Sequence, residues 1–154
     1  MMIVYRIVKN KSRTTDLSGT GAYNEGGRWN NAGTYAVYTS ENRALAALEL
    51  LVHIDESEAP PNLFIMSIEI SNTAPIYDVI DTDLPEDWRL PENSALKNMG
   101  DKLLSANKFV AIKARSAIMP YEYNYILNPH YPGFHDLAKV AGVEDYNFDA
   151  RLLS

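Results

Sequence analysis

Ala36-Val37-Tyr38-Thr39-Ser40-Glu41-Asn42-Arg43-Ala44-Leu45-Ala46-Ala47-Leu48-Glu49-Leu50-Leu51-Val52-His53 holds the change of period on which the reading of the fold turns. Ala36 to Thr39 is a short strand. Ser40 reads as a helix N-cap, with Glu41 in the first turn, where the positive end of a helix favours a carboxylate. Leu45, Leu48 and Val52 then recur at helical spacing, so the helix is expected to run to about Ile54. A strand feeding a helix in this way sets the pattern for the chain on either side.

Upstream, Ile3 to Val8 is a β-branched strand carrying Tyr5 and Arg6. Ser12 to Gly33 holds most of the glycines with neither period, which predicts a long loop. Loops of that length in a compact domain are usually functional or disordered, and Tyr23, Arg28 and Trp29 argue for an ordered, functional one. Downstream, Asp55-Glu56-Ser57-Glu58 reads as a solvated loop, and Phe64, Met66, Ile68 and Ile70 alternate as a strand does. Pro75 to Ile80, Phe109 to Ala114 and Asn124 to Leu127 are further strands. One or two short helices are expected around Pro85, Pro91 and Gly100, and a small helix at Gly133 to Ala141. Strands and helices mix without regular alternation, which predicts a single α+β domain over 1–154.

Composition narrows the function. At 46% hydrophobic and 22% charged residues the chain is neither a disordered tail nor a coiled coil. No apolar run approaches the roughly 18 residues that span a bilayer, so no membrane partner is expected. Met1-Met2-Ile3-Val4-Tyr5-Arg6 lacks the layout of a signal peptide, and without cysteine there is no thiolate chemistry. The expectation is a cytoplasmic protein. A net charge of −6 disfavours direct nucleic-acid binding, which needs a concentrated basic footprint, and favours a basic partner.

Gly19-Thr20-Gly21-Ala22-Tyr23-Asn24 fails the dinucleotide fingerprint, whose third glycine position holds Asn24, and no Gly-Lys-Ser/Thr ending marks a P-loop. Gly26-Gly27-Arg28-Trp29-Asn30 remains: paired glycines let the backbone approach a ligand and deliver an arginine to it, or form a plain tight turn with a solvated arginine. Glu49 sits at the edge of the apolar helical face, where a carboxylate must be paired, hydrogen-bonded or shifted in pKa. It is either a structural partner or a catalytic group. Glu49 and His53 stand at a chelating spacing, but HExxH and a third ligand are missing, so no metal site is expected. Ser116 lacks the nucleophile elbow GxSxG and serves either nearby backbone groups or a site. Tyr121, Tyr123, Asn124 and Tyr125 form an aromatic cluster with one amide, suited to packing or to stacking on a base.

In order along the chain, Tyr5-Arg6, Leu17-Ser18-Gly19-Thr20-Gly21-Ala22 and Gly26-Gly27-Arg28-Trp29-Asn30 with Gly33 are followed by Val37-Tyr38-Thr39-Ser40-Glu41. Then come Ala44-Leu45-Ala46-Ala47-Leu48-Glu49 with Val52-His53, Ser116-Ala117 with Pro120, and Asn124-Tyr125-Ile126-Leu127-Asn128-Pro129. This ordered set resembles the RES family, the toxin half of RES–Xre toxin–antitoxin modules, over nearly the whole chain. The family usually has proline before the serine, and here Arg115 stands there, which puts the placement of Ser116 in question. The segment between Trp88 and Phe109 matches loosely.

The resemblance implies an ADP-ribosyltransferase-like fold whose core is split into two small sheets around an NAD⁺ cleft. It implies growth arrest through NAD⁺ loss or ADP-ribosylation of a protein, and an Xre-type helix-turn-helix antitoxin covering the cleft. A homodimer is left open. NAD⁺ is then the substrate, and no cofactor is implied. Cleavage of the nicotinamide–ribose bond passes through an oxocarbenium-like state. Arg28 suits the pyrophosphate, Glu49 the ribose and its developing cation, and Ser116 the orientation of Arg28 or the substrate. Tyr38 suits stacking on nicotinamide, Asn124 an amide or ribose, and Arg6 a second phosphate contact. Water, phosphate or a protein side chain could accept the sugar. A catalytically inactive binding module is the competing reading, and a ribonuclease toxin is disfavoured by the acidic balance.

Overall fold

The computed structural model describes residues 1–54 and 62–153, so the run Asp55-Glu56-Ser57-Glu58 lies outside the described residues. Among these residues the chain forms β1 (Met2–Val8), α1 (Thr20–Glu25), β2 (Val37–Ser40), α2 (Arg43–Leu51), β3 (Leu63–Ile70) and β4 (Ile76–Asp78). There follow α3 (Ser94–Ser105), β5 (Ala111–Arg115), β6 (Tyr123–Leu127), α4 (Phe134–Leu137) and β7 (Ala138–Tyr146).

The strands lie in the order β4-β5-β6-β2-β1-β3-β7. β4 and β5 are parallel and every other neighbouring pair is antiparallel. The single domain is therefore α+β, as expected. β1 pairs with β3 along its whole length, from Met2↔Ile70 to Val8↔Phe64, but meets β2 at one pair, Tyr5↔Ser40. The expected split takes this form: β4-β5-β6-β2 and β1-β3-β7 are two well-paired halves joined at a narrow seam.

Alternation along the strands sends two apolar clusters to opposite faces. Val4, Val8, Met66, Ile68, Ile70, Leu127 and Phe134 fill one. Trp29, Val79, Leu96, Leu104, Ile112, Ala114 and Ile126 fill the other, which α3 covers. Each fully buried Leu, Ile or Val contributes about 1.5–3 kcal/mol relative to exposure.

Several boundaries differ from the sequence reading. Asn42, not Ser40, caps α2: its side chain accepts from the Leu45 N–H at 2.8 Å, while Ser40 still pairs in the sheet. The helix ends at Leu51, three residues before Ile54. Ser12 to Gly33 is not wholly loop, because α1 and a 3₁₀ turn (Lys11–Arg13) lie within or across it. α3 is one helix of 12 residues that runs through Gly100 instead of breaking there. A Cβ on Gly100 would stand 1.7 Å from the Trp29 carbonyl oxygen, so this glycine serves close packing. The helix expected at Gly133 to Ala141 stops after Leu137: α4 is a single turn, and β7 then pairs with β3 from Ala138↔Ile70 to Leu63↔Tyr146.

Candidate active site

Ser116 directly follows β5 and is fully buried, and three contacts saturate its hydroxyl. Oγ accepts from the N–H groups of Ile118 and Met119, both at 3.1 Å, and donates its proton to Glu49 Oε1 at 2.8 Å. The two backbone donors leave the hydroxyl hydrogen one direction to point, and Glu49 lies there. Glu49 is half-buried on α2, and its Oε2 makes no hydrogen bond among the described residues. Ser116 thus holds Glu49, and among the described residues it shares no hydrogen bond with Arg28 or the turn that carries it.

Arg28 and Trp29 sit at the tip of a tight turn. Gly27 N–H donates to the Asn30 carbonyl at 3.0 Å and Asn30 N–H to the Gly27 carbonyl at 3.4 Å. Asn30 is buried, and its Nδ2 donates to the carbonyls of Ala22, Asn31 and Thr34. The Tyr38 hydroxyl donates to Asn30 Oδ1 at 2.6 Å and accepts from Trp29 N–H at 2.9 Å. Burial pushes this phenol far above its ordinary pKa, so it stays neutral. The ring also lies against the backbone of Gly27, where a Cβ would come within 2.6 Å of the phenol oxygen. Besides any stacking role, Tyr38 therefore braces the Arg28 turn.

Arg28 Nη1 donates to the carbonyls of Trp88 and Leu90, both at 3.1 Å. Its Nε and Nη2 have no protein partner among the described residues, and no carboxylate there pairs with it. The 88–90 segment, the part matched only loosely in sequence, is thus what aims Arg28. Arg89 Nε from the same segment donates to the Ala117 carbonyl at 2.9 Å, which ties the Arg28 support to the loop after Ser116. Lys97 Nζ on α3 grips the Gly27 carbonyl from the other side.

Asn124 stands at the seam, where its Oδ1 accepts from Ser40 Oγ at 2.8 Å and its Nδ2 is left without a partner among the described residues. Arg6 stands apart. Strand alternation places it with Val4 and Val8, opposite Tyr5, and it shares no hydrogen bond with the other five candidates. Burial and the Arg13 guanidinium lower its pKa, opposed by Asp16. It has no hydrogen bond or ion pair among the described residues, so it remains a cation without a counter-charge in contact.

The sequence reading overlooked Asn30, Trp88, Arg89 and Lys97. Asn30 carried a signal, an amide beside a glycine pair. The other three act through backbone carbonyls remote in sequence, which leave no pattern.

A seven-stranded sheet with one narrow seam, a carboxylate held by a buried serine and a braced arginine turn mark the class, and comparison identifies it. The RES domain family model matches residues 3–149, and the chain belongs to that family. It is 36% identical over 154 residues to Toxin Res of Photorhabdus laumondii, covering 99% of this chain and 97% of that one. Toxin Res of Yersinia enterocolitica is 32% identical over 152 residues, covering 98% and 99%. A Prs ADP-ribosylating toxin of Sphingobium is 31% identical over 141 residues, covering 90% and 87%. In fold, the chain is similar to a chain of the M. tuberculosis MbcT–MbcA toxin–antitoxin complex, at TM-score 0.77 and 15% identity, covering 95% of this chain and 84% of that one.

Proposed function

We propose that this protein is the toxin of a bacterial toxin–antitoxin pair and cleaves NAD⁺ at the nicotinamide–ribose bond. The Ser116–Glu49 hydrogen bond carries the reading. It turns a helix-surface carboxylate into an oriented anion with one oxygen free, as a developing positive charge at the ribose requires. Arg28, steered by two carbonyls, has Nε and Nη2 left for the pyrophosphate. Asn124 Nδ2 can donate to a ribose or amide oxygen. As the bond breaks, its electron pair passes to the pyridinium nitrogen and nicotinamide leaves neutral. With water as acceptor, its oxygen bonds to the anomeric carbon and its proton passes to solvent. With phosphate, a phosphate oxygen takes that place. An Xre-type antitoxin is assigned to covering the site, and Arg6, on the face of β1 away from α2, is given no contact in it.

Transfer of ADP-ribose to a protein is the second reading, favoured by the Sphingobium relative's name. Incubating purified, antitoxin-free protein with NAD⁺, with and without phosphate, tests both. Nicotinamide should appear with ADP-ribose, or with its 1″-phosphate when phosphate is the acceptor. Release only in the presence of a protein acceptor would select transfer, and no release from folded protein would overturn the proposal.

A further inference from the structure

The loop that aims Ser116 has its own support, and it is built from Arg115. This side chain leaves the end of β5 and forks. Nε donates to Asp81 Oδ1 at 2.7 Å, and Nη2 to Asp81 Oδ2 at 3.4 Å. Nη1 donates to the Pro120 carbonyl at 2.8 Å. The guanidinium also lies near the rings of Tyr121 and Tyr123, 5.5 and 5.4 Å from their centroids. Asp81 opens the 3₁₀ turn that follows β4, so its position is set by a different part of the sheet edge.

The fork spans the loop from the residue before Ser116 to Pro120. Between those points lie the N–H groups of Ile118 and Met119, which decide where the Ser116 hydrogen points. Two backbone bonds close the loop's base, from Ser116 N–H to Glu122 and from Glu122 N–H to Met119. Neither holds the Pro120 carbonyl. A lysine could not take Arg115's place, because one ammonium cannot hold both carboxylate oxygens and a carbonyl on the far side in one plane.

We infer that Asp81 and Arg115 form a positioning clamp that holds the 116–120 loop, and through Ser116 the Glu49 carboxylate, in register for catalysis. The inference rests on the proposed NAD⁺ cleavage for its catalytic consequence, but not for its structural one. Arg115 touches no reacting atom. Its loss lets the loop and the Ser116 hydroxyl relax, so that Glu49 spends less time aimed at the ribose.

The test uses the whole chain with Arg115→Ala, Arg115→Lys, Asp81→Asn and the double variant Asp81→Asn/Arg115→Ala. Amide exchange at Ile118 and Met119 reads the loop without any reference to activity, and steady-state NAD⁺ cleavage reads the consequence. Arg115→Ala should speed exchange at both amides and lower kcat about 10-fold, with KM within about two-fold, since remote misplacement costs chiefly orientation. Asp81→Asn should do the same more weakly, Arg115→Lys should fail to rescue, and the double variant should be no worse than Arg115→Ala, as expected for one shared interaction. Should Arg115→Ala fold poorly, Asp81→Asn carries the test alone, because it keeps shape and removes only the charge. Unchanged exchange at Ile118 and Met119 in a folded variant would overturn the clamp. So would faster exchange with wild-type kcat, which would show that the loop does not serve catalysis. If the wild-type chain cleaves no NAD⁺, the proposed function fails while the exchange data still decide the clamp.

Discussion

Glu49 and Ser116 are separated by 67 positions, yet one hydrogen bond makes them a unit. A carboxylate at the edge of an apolar face needs a partner, and the partner is a hydroxyl rather than an arginine. Under the proposed NAD⁺ cleavage that choice matters for chemistry: a guanidinium would offset the charge offered to a nascent ribosyl cation, whereas a hydroxyl orients the carboxylate without a counter-charge. Glu49→Gln keeps the shape and removes the charge. Its kcat should fall by about 10²–10³, the scale of one lost preorganised electrostatic contact, with NAD⁺ affinity nearly unchanged. Ser116→Ala should lower kcat less, because the charge survives without its guide. It should also cost about 1–3 kcal/mol of stability, since two N–H groups lose their acceptor. Steady-state kinetics and thermal melting on both variants separate the roles, and wild-type turnover in folded Glu49→Gln would remove Glu49 from the site.

At the level of elements, the site depends on how closely α3 approaches the Arg28 turn. Leu96, Gly100 and Leu104 are the buried positions of that helix, and Gly100 meets the Trp29 carbonyl directly. Alanine is the better helix former by about 1 kcal/mol, so propensity alone favours Gly100→Ala. The overlap is with backbone, which cannot rotate aside, and overpacking of this kind costs about 1–3 kcal/mol. A contact of 1.7 Å makes the clash the larger effect. Gly100→Ala should therefore lower Tm, by about 2–4 °C for each kcal/mol lost. It should also raise KM for NAD⁺ by displacing Arg28. An unchanged Tm would mean that the helix and the turn are not locked together.

On the scale of the whole molecule, the seam between β1 and β2 separates two halves that are each well paired. α2 begins three residues beyond the seam residue Ser40 and carries Glu49, while Arg43 at its start lies over the Tyr5 ring of β1, 4.5 Å from the centroid. The helix therefore bridges the halves at its start, and Glu49, farther along it, bonds to Ser116 beyond the end of β5. Among the described residues no helix is long and apolar enough to cross a membrane. If the protein is a toxin through NAD⁺ loss, expression without an antitoxin should arrest bacterial growth and lower cellular NAD⁺. Glu49→Gln, expressed at equal level, should do neither. Arrest by the Glu49→Gln variant with NAD⁺ undiminished would point to toxicity through binding rather than catalysis.

The sequence alone determined the α+β class, the strands around Tyr5, Tyr38, Phe64 and Tyr125, the α2 face and the candidates Arg28, Glu49 and Ser116. The class and the elements are local patterns of period and turn residues that neighbouring residues suffice to write, whereas Arg28, Glu49 and Ser116 are singled out by the ordered motifs of the RES family. Tertiary structure decided the rest. β7 is poor in strand formers and exists because β3 offers it a ladder. α3 passes Gly100 unbroken because a carbonyl 71 residues earlier needs the space. Asn42 caps α2 because Ser40 is drawn into pairing with Asn124 and Tyr5. Arg28 is aimed by the carbonyls of Trp88 and Leu90, and Arg115 closes the serine loop through Asp81. Backbone carbonyls are common to every residue type, so no letter of the sequence marks which of them will hold a side chain. That is settled only when distant segments pack.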